Sequence, residues 1–387
     1  MKILVKEMIR MTVGKSAKKK IFSVLGLFIF CVASASGEPL KSDGESNDDG
    51  AITSETQINE YILHHIKDAH DFHLFSYNDS EGHRKHVGFP LPVIVYTSKG
   101  IKTFMSSEFH HDDSGHHVVE KDGVALVKYH EKIYELDQGA HGVEFDEAHH
   151  PTNAHAVLDL SITKSVFGML FVFTLLIFWF RRLALQYRKN SIPKGFSRIL
   201  EPLVIYVRDE IAKPNIGEKQ YRKFIGFLMT VFFFIWTSNL LGLMPFGFNI
   251  TGQIAVTFSL ALFTYIITHF SAKKDYWKHI FWMPGVPIPM KIILAPIELL
   301  GTLTKPFALM VRLFANISAG HIVVMSIIAI GITLRNTMGV IGASALSFAL
   351  SLFITTIELL VAFLQAYIFT MLSALFIGMA VEEHEHH

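Results

Sequence analysis

"KPFALMVRLFANISAGH", residues 305–321, decides the fold. Val311, Leu313, Phe314 and Ile317 belong in an apolar helix, yet Arg312 stands among them, and nearly everything from Ile280 to Ile330 is apolar. An arginine keeps its proton inside a protein. Insertion scales put its cost at mid-bilayer at roughly 2.5–3.5 kcal/mol. Ionisable residues held at that cost are functional candidates, and five are placed in this part of the chain: Glu298, Lys305, Arg312, His321 and Glu358. Carboxylates and imidazole exchange protons, whereas the guanidinium does not. A titratable set around a fixed positive charge suits proton conduction with a barrier in its middle. The structural alternative is an internal ion pair with Glu358; Glu298 lies ~21 Å away along the same helix, too far to pair directly.

Outward from this stretch, residues 292–334 and 339–380 are apolar throughout, with no loop-like sequence inside either. Each would be ~60 Å long as continuous helix, against a hydrocarbon core of ~30 Å. Two long oblique helices forming a hairpin are expected, with "RNT" (335–337) as the turn. Polar residues recur every seven positions: Glu298, Lys305 and Arg312 in the first segment, Ser344, Ser351, Glu358 and Gln365 in the second. A seven-residue repeat drifts only ~20° per step, so each series forms a stripe on one helix face. Asn316, one turn past Arg312, shares its face; His321, nine residues on, points about half a turn away.

Upstream, spans are expected at about 165–181, 224–244 and 253–270. Arg181, Arg182, Arg188, Lys189, Lys194 and Arg198 follow the first, which places that end in the cytoplasm. "FSRILEPLVIYVRDEIAKP" puts Ile199, Leu203, Tyr206, Val207 and Ile211 on one face, an amphipathic helix lying along the cytoplasmic membrane surface.

Residues 1–35 read as a signal peptide: Lys15, Lys18, Lys19 and Lys20 precede "IFSVLGLFIFCVASA", which ends in an A-x-A cleavage site. Residues 36–155 contain no run long enough to span a bilayer. They form a His-rich domain, with 15 of the chain's 21 His lying between His64 and His155. Residues 37–52 are small and acidic, "SETQINEYILHHIKDAH" suits an amphipathic helix, and "VIVYTSKGIKTFMSS" and "GVALVKYHEKIYEL" suit strand pairs. A small α+β periplasmic domain is expected. "HHDDSGHH" (110–117) carries ligand-type side chains but lacks helical His spacing or a Cys partner, and no metal site is expected. The membrane domain is then 156–387. A net charge of +1 argues against a nucleic-acid binder. No "GxxxxGK[ST]" phosphate loop occurs, so no cofactor or nucleotide is expected.

The stretch around Arg312, with Glu298 fourteen residues before it, Asn316 four after it and "LQAYIF" around Gln365, resembles subunit a of bacterial F-type ATP synthases. "NLLGLMP" (239–245) and "VTFSLAL" (256–262) match the same pattern, and the resemblance covers roughly 155–382. It implies an all-α integral membrane protein with the ATP synthase subunit a fold. Vertical helices, one interfacial amphipathic helix and a long tilted two-helix hairpin would pack against a rotating c ring in the bacterial inner membrane. The mature N-terminus would be periplasmic and the C-terminus cytoplasmic. The partners implied are the c ring, subunit b and the rest of the complex. The translocated ion is H⁺, with Na⁺ also compatible. The resemblance makes Arg312 the essential arginine facing the ring carboxylates, assigns Asn316, His321, Glu358 and Gln365 to an outer half-channel, and assigns Glu298 to a cytoplasmic one. Many bacterial members carry Glu where His321 stands and His where Glu358 stands; here the pair is exchanged. Such a subunit translocates ions and is not by itself an enzyme. The rival reading is a stand-alone secondary transporter using Arg312 for an anionic substrate, which internal repeats would favour; no convincing repeat is present.

Overall fold

The computed structural model describes residues 68–78, 84–110, 112–137, 139–140, 142–144, 151–189, 193–244, 249–283 and 286–382, with side chains left out at 72–78, 84–87 and several positions in 321–340, His321 among them. The expected signal peptide, the acidic stretch 37–52 and residues 54–67 of the helix expected over 54–70 lie outside the described residues; residues 68–70 are described and are not helical. Two compact units divide at Met169 and Leu170.

The described part of the first unit is built from strands. β1 (Asp71–Asn78) pairs with β2 (Arg84–Pro90), and β3 (Pro92–Thr97) pairs antiparallel with β4 (Gly100–Met105). β5 (Val119–Lys121), β6 (Val124–Tyr129), β7 (Lys132–Leu136) and β8 (Ala154–Ala156) follow in a four-stranded sheet, and β9 (Leu158–Asp159) joins β3. The alternation around Ser98-Lys99-Gly100 folds as the β3–β4 hairpin, with Thr97 opposite Gly100. Val93, Val95, Phe104, Phe109, Val124, Leu126 and Ile133 close the core between the sheets.

A buried polar cluster lies beside that core. His70 Nε2 is 2.6 Å from Asp159 Oδ2, and its backbone N–H donates to Glu131 Oε2 at 3.2 Å. Lys128 Nζ sits 3.4 Å from Glu131 Oε1 and 3.8 Å from Asp113 Oδ1. Burial alone would strip His70 of its proton; the hydrogen bonds to Asp159 and Glu131 outweigh it and push its pKa up to about 9. The β6–β7 turn holds His130 and Glu131 at φ 49° and 61°, left-handed conformations that side chains adopt reluctantly. The buried bonds of Glu131 offset that strain.

The unit ends by fastening the first helix, α1 (Lys164–Arg188). Asp68 caps it, accepting from Ser165 N at 2.9 Å and Thr163 Oγ1 at 2.8 Å, and Lys164 N donates to Ala69 O. The unit therefore extends to Met169, past the boundary at 155 that composition suggested.

The second unit is helical. After α1 come α2 (Phe196–Tyr206), a π-helical turn (Val207–Ala212), the short α3 (Lys213–Ile216), α4 (Tyr221–Gly242), α5 (Ile254–Phe270), α6 (Lys274–Phe281), α7 (Ile288–Thr333) and α8 (Arg335–Val381). α4 is apolar on all sides and buried on most of them, Phe232, Phe233 and Phe234 being all but inaccessible. α5 has 17 residues and turns by 103° into α6. α1, α4, and the stretches Ile288–Val324 of α7 and Ile341–Val381 of α8 are long and apolar enough to cross a membrane. The protein is thus a multi-pass, mostly helical membrane protein.

Two local expectations change. Of the face expected over 196–214, Val207 and Ile211 are buried and Ile199 is 59% exposed, while Leu200, outside that face, is buried too. Pro202 and the π turn break the regular period on which the expected face was drawn. The hairpin turn is also displaced. Residues 335–337 are helical, and the chain breaks at Gly339 (φ 74°, ψ 165°), a conformation that glycine adopts without a Cβ penalty.

Candidate functional site

α7 and α8 run 46 and 47 residues and pack along each other, and the polar stripes meet where they cross. Gln365 is the centre of that meeting. It is 3% exposed, so both ends of its amide need partners. Its Nε2 donates to the Arg312 carbonyl oxygen at 2.7 Å, and its Oε1 accepts from Asn316 Nδ2 at 3.0 Å. One α8 side chain therefore grips α7 at two positions a turn apart.

The grip fixes the backbone of Arg312 and leaves its side chain free to face outward. Arg312 is exposed, and among the described residues no carboxylate lies within ion-pairing distance of it. Around and along α7 the apolar side chains are exposed as well: Leu300 is 62% exposed, Leu303 59%, Phe307 63% and Val311 40%. Arg312 is thus an exposed cation on a largely apolar helix. The internal pair with Glu358 does not form.

Glu358 takes a different place. Its Oε1 is buried without a hydrogen-bond partner and lies against Gly320, where a Cβ would collide with it. Glycine at 320 is what lets the carboxyl approach the α7 backbone so closely. His321 is the next residue along α7, and its side chain lies outside the described ones.

Glu298 is set apart from these groups. It is half-buried, seven residues before Lys305, which lines a cleft with Thr302, His269, Tyr276 and Phe376. Glu298 lies within electrostatic reach of the Tyr276 hydroxyl. His269 Nδ1 donates to Tyr265 O at 2.9 Å, which leaves Nε2 buried without a partner. Lys305 Nζ stands 5.5 Å from the Phe376 ring centre.

The sequence reading missed several of these groups. Asn239 and Thr251 are buried, Thr251 Oγ1 donates to Asn239 Oδ1 at 2.6 Å, and Asn239 Nδ2 reaches Ala362 O at 3.4 Å. They tie α4 to α8 one turn before Gln365. The available signal was an amide inside the apolar run of "NLLGLMP". His269 carried no signal beyond its place at the end of a span.

A family model described as ATP synthase A chain matches residues 166–378, more than half of the chain, and one described as a domain of unknown function matches 61–160. The chain is 44% identical over 261 residues to "ATP synthase subunit a 2" of Chlorobaculum tepidum, covering 65% of this chain and 72% of that protein. It is 41% identical over 269 residues to "ATP synthase subunit a" of Chloroherpeton thalassium, covering 66% and 79%. It is also 40% identical over 290 residues to "ATP synthase subunit a" of Chlorobium phaeobacteroides, covering 73% and 82%. The helical unit with its outward arginine therefore belongs to the ATP synthase A chain family, and the chain is a member of the subunit a group of F-type ATP synthases.

Proposed function

We propose that the chain is the proton-translocating stator subunit of an ATP synthase in a bacterial inner membrane, with α7 and α8 lying obliquely against the c ring and Arg312 facing the ring carboxylates. The observation that carries this reading is the exposed Arg312 with no in-chain carboxylate among the described residues. Its counter-charge then belongs to another chain. A deprotonated carboxylate entering the bilayer needs a nearby cation, since a lone buried charge is prohibitive. Arg312 supplies it and lowers that carboxylate's pKa, so the proton leaves before the carboxylate arrives. The same charge repels a proton crossing directly.

Two half-channels follow. Asn316, Gln365, Glu358 and His321 line the outer one, and Glu298 the cytoplasmic one, where the cleft of Lys305, His269 and Tyr276 adjoins it. Gln365 holds α7 in register so that Arg312 keeps its distance from the ring. A directly shunted proton would dissipate ~2.3 kcal/mol per 100 mV. Turned the long way round, it drives rotation, and the chain binds no nucleotide. The N-terminal domain lies on the periplasmic side, and the C-terminus is cytoplasmic.

The test is Arg312→Ala in the assembled complex. ATP synthesis and ATP-driven pumping in inverted vesicles fall by about a hundredfold or more, on the scale of losing a preorganised charge, while the complex still assembles. Normal pumping in assembled Arg312→Ala membranes overturns the reading.

A further inference from the structure

The sheet β4–β3–β9 has two apolar faces. Its inner face holds Val93, Val95 and Phe104 in the core, at most 7% exposed. On its outer face Tyr96 pairs with Ile101 on one side and Leu158 on the other. All three are exposed, at 56%, 64% and 56%. Pairing continues past β9: Leu160 N donates to Ile94 O at 2.8 Å, and Ile162 N to Pro92 O at 3.1 Å. Leu160 and Ile162 therefore fall on the same outer face, with Met105 opposite Pro92. Across the three strands that face carries Pro92, Ile94, Tyr96, Ile101, Thr103, Met105, Leu158, Leu160 and Ile162, with no side chain charged at neutral pH. An antiparallel sheet with one covered face ordinarily turns polar side chains to water on the other. In a domain otherwise rich in His, Asp, Glu and Lys, a continuous uncharged apolar face marks a contact surface.

What covers it follows from where the strand leads. Ile162 is followed by Thr163 and then by α1, whose first apolar residues are Val166 and Phe167. Four residues of chain reach at most about 14 Å even when extended. The joint is fastened by Asp68 and Ala69, and the first turn of α1 belongs to the same compact unit as the sheet. The last position of the face is thus only a few residues from the start of a helix long and apolar enough to cross a membrane. Tyr96 at its centre has an apolar ring and a polar tip, the side-chain type enriched at the membrane–water boundary.

We infer that the outer face of the β4–β3–β9 sheet rests on the lipid surface that α1 enters, so that the N-terminal domain is a second, monotopic membrane contact.

The experiment uses the full chain in its assembled complex in liposomes. Cys31, the chain's single cysteine, is replaced by Ala, and Ile101→Cys, Leu158→Cys and Asp122→Cys variants are labelled with a small fluorophore. Asp122 is the control, its side chain being 81% exposed in the β5–β6 turn away from the face. Lipids carrying a nitroxide at headgroup level quench the labels at 101 and 158 at least about threefold more than the label at 122, as expected for groups seated at the interface. Aqueous iodide gives the reverse order. If nitroxide lipids fail at 101 and 158 while iodide succeeds, the face is bare and the inference is wrong. If neither quencher reaches them, a protein covers the face, and the inference is equally wrong.

Discussion

His70 and Arg312 are two cations with opposite solutions. His70 is 3% exposed and lies between Asp159 and Glu131 of its own domain. Arg312 sits in the apolar α7 with no carboxylate beside it among the described residues. A charge whose partner is in the same chain is tied to that chain's fold, because removing either one leaves the other buried and uncompensated. A charge without one is stable only when a partner arrives, so it reports on function. The difference predicts which measurement each residue governs.

The largest separation comes from removing each cation in turn. Arg312→Ala abolishes pumping and leaves the β domain's stability unchanged. His70→Ala leaves Asp159 without its cation, while Glu131 keeps Lys128, and destabilises the β domain by about 3–5 kcal/mol, while pumping stays within about twofold of the parent because His70 and Arg312 share no partner. Hydrogen-exchange protection of β6 and β7, beside vesicle pumping assays, reads both. A His70→Ala variant that assembles normally but pumps no protons would erase the distinction.

Next in size is Gln365→Leu. It removes the amide that holds Asn316 and the Arg312 carbonyl. Losing buried hydrogen bonds costs about 1–3 kcal/mol, so pumping falls roughly tenfold. Gln365→Glu keeps an acceptor for Asn316 but loses the donor to Arg312, and falls between the two. Equal activity of both variants with the parent would show that the grip on α7 is irrelevant to proton transfer.

The proposed outer half-channel, with His321 and Glu358 taken as a proton relay, predicts a smaller effect. Losing either slows proton delivery without opening a leak, because Arg312 remains. The double exchange His321→Glu with Glu358→His recovers more pumping than either single change. A double exchange no better than the worse single variant rules the pair out. Gly320→Ala, which would place a Cβ against the Glu358 carboxyl, slows delivery as well.

The effect slightest at any one pH step is a gradual one. Folding raises the His70 pKa to about 9 from an ordinary 6.5. The native domain binds the extra proton, so its stabilisation is complete below about pH 6.5 and is lost as pH rises through about 9. By linkage that shift is worth on the order of 3 kcal/mol. Exchange protection of β6–β9, corrected for the intrinsic rate, should decline over that window in the parent and stay flat in His70→Ala. A flat parent profile would mean that His70 is neutral in the folded domain.

The sequence on its own determined the parts set by partition between water and lipid and by helical period. The apolar runs gave the spans, the seven-residue stripes gave the faces of α7 and α8, and two-residue alternation gave the β3–β4 and β6–β7 hairpins. Arg312 was conspicuous because a permanent charge in an apolar run needs no neighbour to be noticed. What only the tertiary structure decided were pairings between distant residues. Gln365 meets Asn316 and Arg312 across 49 and 53 positions, His70 meets Asp159 across 89, and Glu358 finds its place against a glycine. The uncharged sheet face also belongs to this class, since it needs β9 to come back beside β3 over some 60 residues of chain. Period and composition fix which face a residue occupies. Which residue stands opposite depends on how helices and strands cross in three dimensions, and packing sets that.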